Sequence, residues 1–129
     1  MGAEQEEAIK SAIAELESEE ALHDAGEPPR YFARFSLAGQ EPWIEIVLAR
    51  ATVVNLWYPF DDEPRSVLDE AGVKVPSAFQ LIENSNPSCT FSIPRSPAAD
   101  LARFVHDLFV KLYAAEEEYP LEIEMCAFE

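Results

Sequence analysis

Few residues in this chain are spaced for chemistry. The two histidines, His23 and His106, stand alone, with neither a second histidine nor a cysteine at metal-ligand spacing and no nucleophile close by in sequence. His23 falls near the end of a first helical stretch, where the dipole favours a protonated imidazole, and His106 lies beside the apolar face of a later one. Both read as structural. Asp61, Asp62 and Glu63 gather the oxygen ligands that a hard cation such as calcium prefers, but prolines bound the segment (PFDDEP) and no calcium-loop pattern surrounds it. A solvated turn is the expectation there, and a solvated helix end at residues 116–118. Carboxylate pairs can be drawn almost anywhere in so acidic a chain, so they carry no specificity for acid–base work. Gly2, Gly26, Gly39 and Gly72 are scattered singly and build no phosphate-cradling loop. Cys89 and Cys126 are too few for a disulfide scaffold, and both sit in apolar strand patterns, as buried free thiols do. The expectation is a non-enzymatic protein with no catalytic residues, no metal and no cofactor.

Charge says more than motifs. Twenty-five acids against nine bases leave a net charge of −16, a field that repels nucleic acid and anionic membrane and favours basic partners. No stretch approaches the roughly 18 apolar residues that span a bilayer. Residues 1–20 are acidic and lack the basic-then-apolar order of a signal peptide, which points to a cytoplasmic protein. The 48% apolar content over 129 residues is that of a folded protein, and residues 1–129 read as one α+β domain.

The chain is organised around residues 96–115. Leu101, Phe104, Val105, Leu108, Phe109 and Leu112 follow the spacing of one helical face, with Asp100, Arg103, Asp107 and Lys111 on the other. Ser96 is the expected N-cap, and Pro97 suits the first helical position. An earlier helix is expected over 3–25, with a narrow stripe of Ala8, Ile9, Ala12, Ile13 and Leu16, stopped by Gly26, Pro28 and Pro29. A short helix is expected over 65–71, ended by Gly72.

Strand patterns fill the remainder. Residues 31–37 alternate, as do 43–49 and 52–58; the last two are either a hairpin or one long bulged strand. A fourth strand is expected over 79–82, a turn over 84–87, a fifth strand over 89–93, and a sixth over 119–128 whose acids suit an exposed edge. The predicted architecture is an antiparallel sheet of five to six strands packed against the long helix of the C-terminal half, with an N-terminal helix. Trp43 and Trp57 share strand parity with Glu45 and Asn55, so the face opposite the core would carry two tryptophans. Exposed, they would mark a binding surface; covered by a helix or a second copy, they would be ordinary core.

The order helix, three strands, short helix, two strands, long amphipathic helix resembles the type III secretion chaperone fold and its wider set of chaperone-like domains. The likeness covers residues 3–115 and extends to small size and acidity. Val67-Leu68-Asp69-Glu70-Ala71-Gly72-Val73 followed by Pro76 is similar to the short-helix region of those domains. The sixth strand departs from the secretion chaperones, whose last element is usually the helix. The resemblance implies a homodimer and a partner protein whose extended segment lies over apolar patches. Carried over by position, Leu101, Phe104, Phe109 and Leu112 would be core or dimer contacts, and Trp43, Val47 and Trp57 the partner-binding patch. An acidic immunity or inhibitor protein that blocks a basic partner is the alternative reading, and a small ligand-binding domain a third.

Overall fold

The structure, a computed structural model, describes residues 3–20, 30–75, 78–85, 87–115 and 119–127. The expectations placed on His23, Gly26, Pro28, Pro29, Pro76 and residues 116–118 lie outside the described residues. Helix α1 (Ala3–Glu20) buries Ile9, Ala12, Ile13 and Leu16 on one stripe and leaves Glu4, Glu7 and Glu15 in water.

Strands β1 (Tyr31–Leu37), β2 (Trp43–Leu48) and β3 (Thr52–Trp57) form an antiparallel meander. Gly39 turns the first hairpin with φ +73°, a conformation that costs a side-chain-bearing residue. The pairing of Val47 with Val53 settles the second link as a hairpin, closed by the Ala49 amide donating to the Ala51 carbonyl at 3.0 Å.

Helix α2 (Pro64–Ala71) begins where the Glu63 carboxylate accepts from the Ser66 amide and hydroxyl, at 3.3 and 2.9 Å. It ends at Gly72, left-handed at φ +89°, with the Val73 amide reaching back to Leu68. Strands β4 (Gln80–Ser85) and β5 (Ser88–Ile93) follow as a hairpin with a bulge between Leu81 and Glu83. Here the structure corrects two expectations. Asn84 and Ser85 have turn propensity, yet both ladder with β5, against Cys89 and Ser88, so pairing overrides local preference. Phe79 falls just outside the ladder and instead packs its ring, tilted by 34°, at 4.7 Å from that of Phe91.

Helix α3 (Ala98–Asp107) widens into a π-helical turn at Leu108–Leu112, with the Tyr113 amide bonded five residues back to Leu108. Its N-cap is Pro97, not Ser96: the Pro97 carbonyl accepts from the Asp100 and Leu101 amides, while the Ser96 hydroxyl donates to Pro94 at 3.2 Å. Ala114 takes a left-handed φ of 56° just beyond the turn, and the Ala115 amide closes back onto Phe109.

Strand β6 (Leu121–Ala127) pairs with β1 along its full length, giving the sheet order β4-β5-β3-β2-β1-β6, every pair antiparallel. The chain is thus α+β. Both long helices pack on one face of this sheet, over Ala33, Phe35, Ile44, Ile46, Val54, Leu56 and Phe91, all at most 1% exposed. Leu101, Phe104 and Phe109 are enclosed in that core and Leu112 is half-buried against it, so within one chain these residues serve packing.

Candidate functional site

The other face of the sheet has no helix over it among the described residues. Strand alternation sends Arg34, Glu45, Asn55 and Thr90 there, and the register aligns them in one row across β1, β2, β3 and β5. The row is a continuous hydrogen-bonded chain. Arg34 Nη1 donates to Glu45 Oε2 at 2.9 Å, Asn55 Nδ2 donates to Glu45 Oε1 at 3.0 Å, and Thr90 Oγ1 donates to Asn55 Oδ1 at 2.9 Å. The same guanidinium sits 5.0 Å from the centre of the Trp43 ring. One arginine therefore answers both the carboxylate beside it and the aromatic face beneath it.

Flanking rows mix apolar residues with serines, Trp57 pairing with Ser88 and Val53 with Ser92. Trp43 opposes Ser36 on one side of the polar row, and Val47 opposes Val53 on the other, all half-buried. The two tryptophans are not equivalent. Trp57 ends β3, its ring 5.9 Å from Tyr113, and its carbonyl accepts a hydrogen bond from the Tyr113 hydroxyl. The π-helical turn is what carries Tyr113 to that position. Trp43, Val47 and Trp57 thus share one face, and Trp57 is further tied to the helix layer.

Cys126 also departs from expectation. It is half-buried on this open face, opposite Phe32, whereas Cys89 is 1% exposed in the core. Burial pushes the Cys89 thiol up to about 11 and raises Cys126 as well, so neither is a ready thiolate at neutral pH.

Elsewhere the chemistry is quiet. His106 Nδ1 lies 2.9 Å from the Tyr119 hydroxyl and the rings stack at 5.6 Å, a pairing internal to the fold. Glu63 is occupied as a helix cap, and the Asp62 carbonyl accepts from the buried Tyr58 hydroxyl at 2.6 Å. No group of three or more metal-ligating side chains gathers among the described residues. A cleft of about 370 Å³ opens between Leu37, Gln40, Ala114, Pro120 and the tyrosines Tyr113 and Tyr119. Burial raises both tyrosine pKa values, helped by Cys89 at Tyr113 and by Glu6 at Tyr119, and both hydroxyls are already engaged. Among the described lining residues, these two tyrosines are the titratable groups, and both stay protonated at neutral pH.

The polar row was invisible in the sequence because its members become neighbours only through register. Their shared parity within each strand was the available signal. No protein-family model, curated protein or solved structure matches this chain. No described helix is long and apolar enough to cross a membrane.

Proposed function

We propose that the chain is a protein-binding module of chaperone-like type, holding a segment of a partner protein on the open face of its sheet. The observation that supports this is the composition of that face: Trp43, Val47, Val53 and Trp57 flank a polar row that satisfies its own hydrogen bonds. A partner covering such a row leaves no charge stranded, because Arg34, Glu45 and Asn55 already answer one another. Rigid tryptophans supply the contact area at little entropic cost. The net charge of −16 favours a basic partner and a fast, salt-sensitive encounter. A homodimer, if formed, must use surfaces other than Leu101 and Phe109, which the core of each chain encloses.

The test compares proteins retained from a cell extract by the wild type and by Trp43→Ala/Val47→Ser, then repeats binding with the purified retained partner. Loss of that partner in the variant, with a shift of tryptophan emission on binding to the wild type, supports the reading. Equal retention by both, or binding that leaves the tryptophans unchanged, overturns it.

A further inference from the structure

The two edges of the sheet are finished differently. At one end, β4 carries a bulge at Ile82, which leaves Ile82 56% and Leu81 41% exposed and breaks the regular ladder that an incoming strand would need. At the other end, β6 has no bulge and no proline. All seven of its residues keep register with β1, from Leu121 against Leu37 to Ala127 against Tyr31. No described strand lies on its outer side.

The side chains of β6 are divided by chemistry. Leu121, Ile123 and Met125 point to the helix-covered face, in register with Leu37, Phe35 and Ala33, which are at most 3% exposed. On β6 that same layer runs out of cover: Leu121 and Met125 are half-buried and Ile123 is 36% exposed. Glu122 and Glu124 project on the opposite face, both exposed. The edge thus presents unfinished core on one side and two carboxylates on the other.

We infer that β6 accepts a seventh strand from a partner whose sequence alternates lysine or arginine with aliphatic residues. Such a strand would set its apolar residues beside Ile123 and Met125 and its cations beside Glu122 and Glu124, while its backbone takes up the outer amides and carbonyls of β6. A second copy of this chain is the wrong occupant. Two β6 edges brought together would place Glu122 and Glu124 of both copies on one face, like charges side by side in a molecule already at −16. The inference goes beyond the open-face reading: it names a second contact, at the sheet edge and separate from Trp43, and the chemistry of the strand that fits it.

The probe is a capped synthetic peptide of four Lys-Val repeats, titrated into the full chain, with hydrogen exchange followed over β6 and mass followed by light scattering. Three controls accompany it: a Glu-Val peptide of equal length, a Lys-Val peptide with every backbone amide methylated so that neither edge can donate, and the variant Glu122→Lys/Glu124→Lys. The expected result is slower exchange in β6 with the Lys-Val peptide alone. The methylated peptide, which keeps the charge but cannot ladder, loses that protection. Removing two exposed ion pairs weakens Lys-Val binding about tenfold or more once the reversed charges repel. In the charge-reversed variant the Glu-Val peptide binds in its place. The inference is overturned if the methylated peptide protects β6 equally, if protection appears elsewhere in the chain, or if the protein alone dimerises through β6. Trp43→Ala separates this from the broader reading: edge binding survives it, whereas binding over the open face does not.

Discussion

On β2, Ile44, Ile46 and Leu48 turn toward the helices and lose nearly all contact with water, while Trp43, Glu45 and Val47 of the same strand stay half exposed. The strand gives both sets the same backbone ladder; what differs is what lies over them. The helix-covered face is held by apolar burial, where each side chain contributes in proportion to the area removed from water. The open face is held by a hydrogen-bonded row whose members remain partly hydrated, so each contributes little on its own. Stability is concentrated on the covered side of the sheet, so the open side, where we propose that a partner binds, can be altered without unfolding the protein.

The largest expected effect breaks the covered face. Phe91 is fully buried, with the Phe79 ring tilted against it at 4.7 Å and Phe104 edge-on at 6.2 Å. Phe91→Ala should destabilise the fold by about 3–5 kcal/mol through lost transfer energy and the cavity left behind. Urea denaturation measures it. A cost near that of an open-face substitution would refute the division between the faces.

A second effect is set by pH. Cys89 lies in the covered layer with its thiol pushed from 9.0 up to about 11 by burial, and Tyr58 is pushed from 10.0 up to about 12, by burial first and then by Cys89, Asp62 and Glu63. The unfolded chain ionises these groups first, so above pH 9 it binds fewer protons than the native state, and stability falls as pH rises. Their contribution is fully present below pH 9 and is lost between about 9 and 12, amounting to roughly 2–3 kcal/mol for the thiol alone. Denaturation curves from pH 7 to 11 should show this decline, and Cys89→Ala should flatten the part below pH 11. An unchanged slope in the variant would place the alkaline loss on other groups.

How much of this was legible in the sequence depended on how local the cause was. The alternation in residues 31–37 gave a strand with those bounds and that inward face, because period-two burial is written into adjacent residues. The short helix ended at Gly72 as expected, since only the left-handed turn there asks for glycine. What failed was contextual. Asn84 and Ser85 became strand because β5 offered partners, and Cys126 proved half-buried because the sheet ended beside it. The π-helical turn and its tie from Tyr113 to Trp57 have no signature in residue spacing. The row from Arg34 to Thr90 needed the strand order, which no local pattern supplies.

On the open face, Glu45 is the pivot of that row, accepting from both Arg34 and Asn55, with a side chain 17% exposed. Glu45→Ala removes both bonds at once and leaves Arg34, itself 38% exposed, to find water. Solvent screening keeps the expected cost near about 1 kcal/mol, well under that of Phe91→Ala. The loss should shrink in high salt, where the ion pair is already weakened. A salt-independent loss of several kcal/mol would mean that this face is sealed from water and belongs to the core.

The smallest expected effect is also the sharpest on the two tryptophans. Trp43→Phe keeps an aromatic ring under Arg34 but weakens the cation–π contact, for which indole is the best partner, so stability should drop by only about 0.5 kcal/mol. The variant leaves Trp57 as the sole emitter, fixed against Tyr113 at the end of β3. If Trp43 is the tryptophan more open to water, removing it shifts the emission to shorter wavelength, and iodide quenches the remaining signal less. Trp57→Phe should do the reverse, leaving a redder and more quenchable signal from Trp43. Identical emission from the two variants would erase the distinction between a tryptophan offered to a partner and one tied to the helix layer.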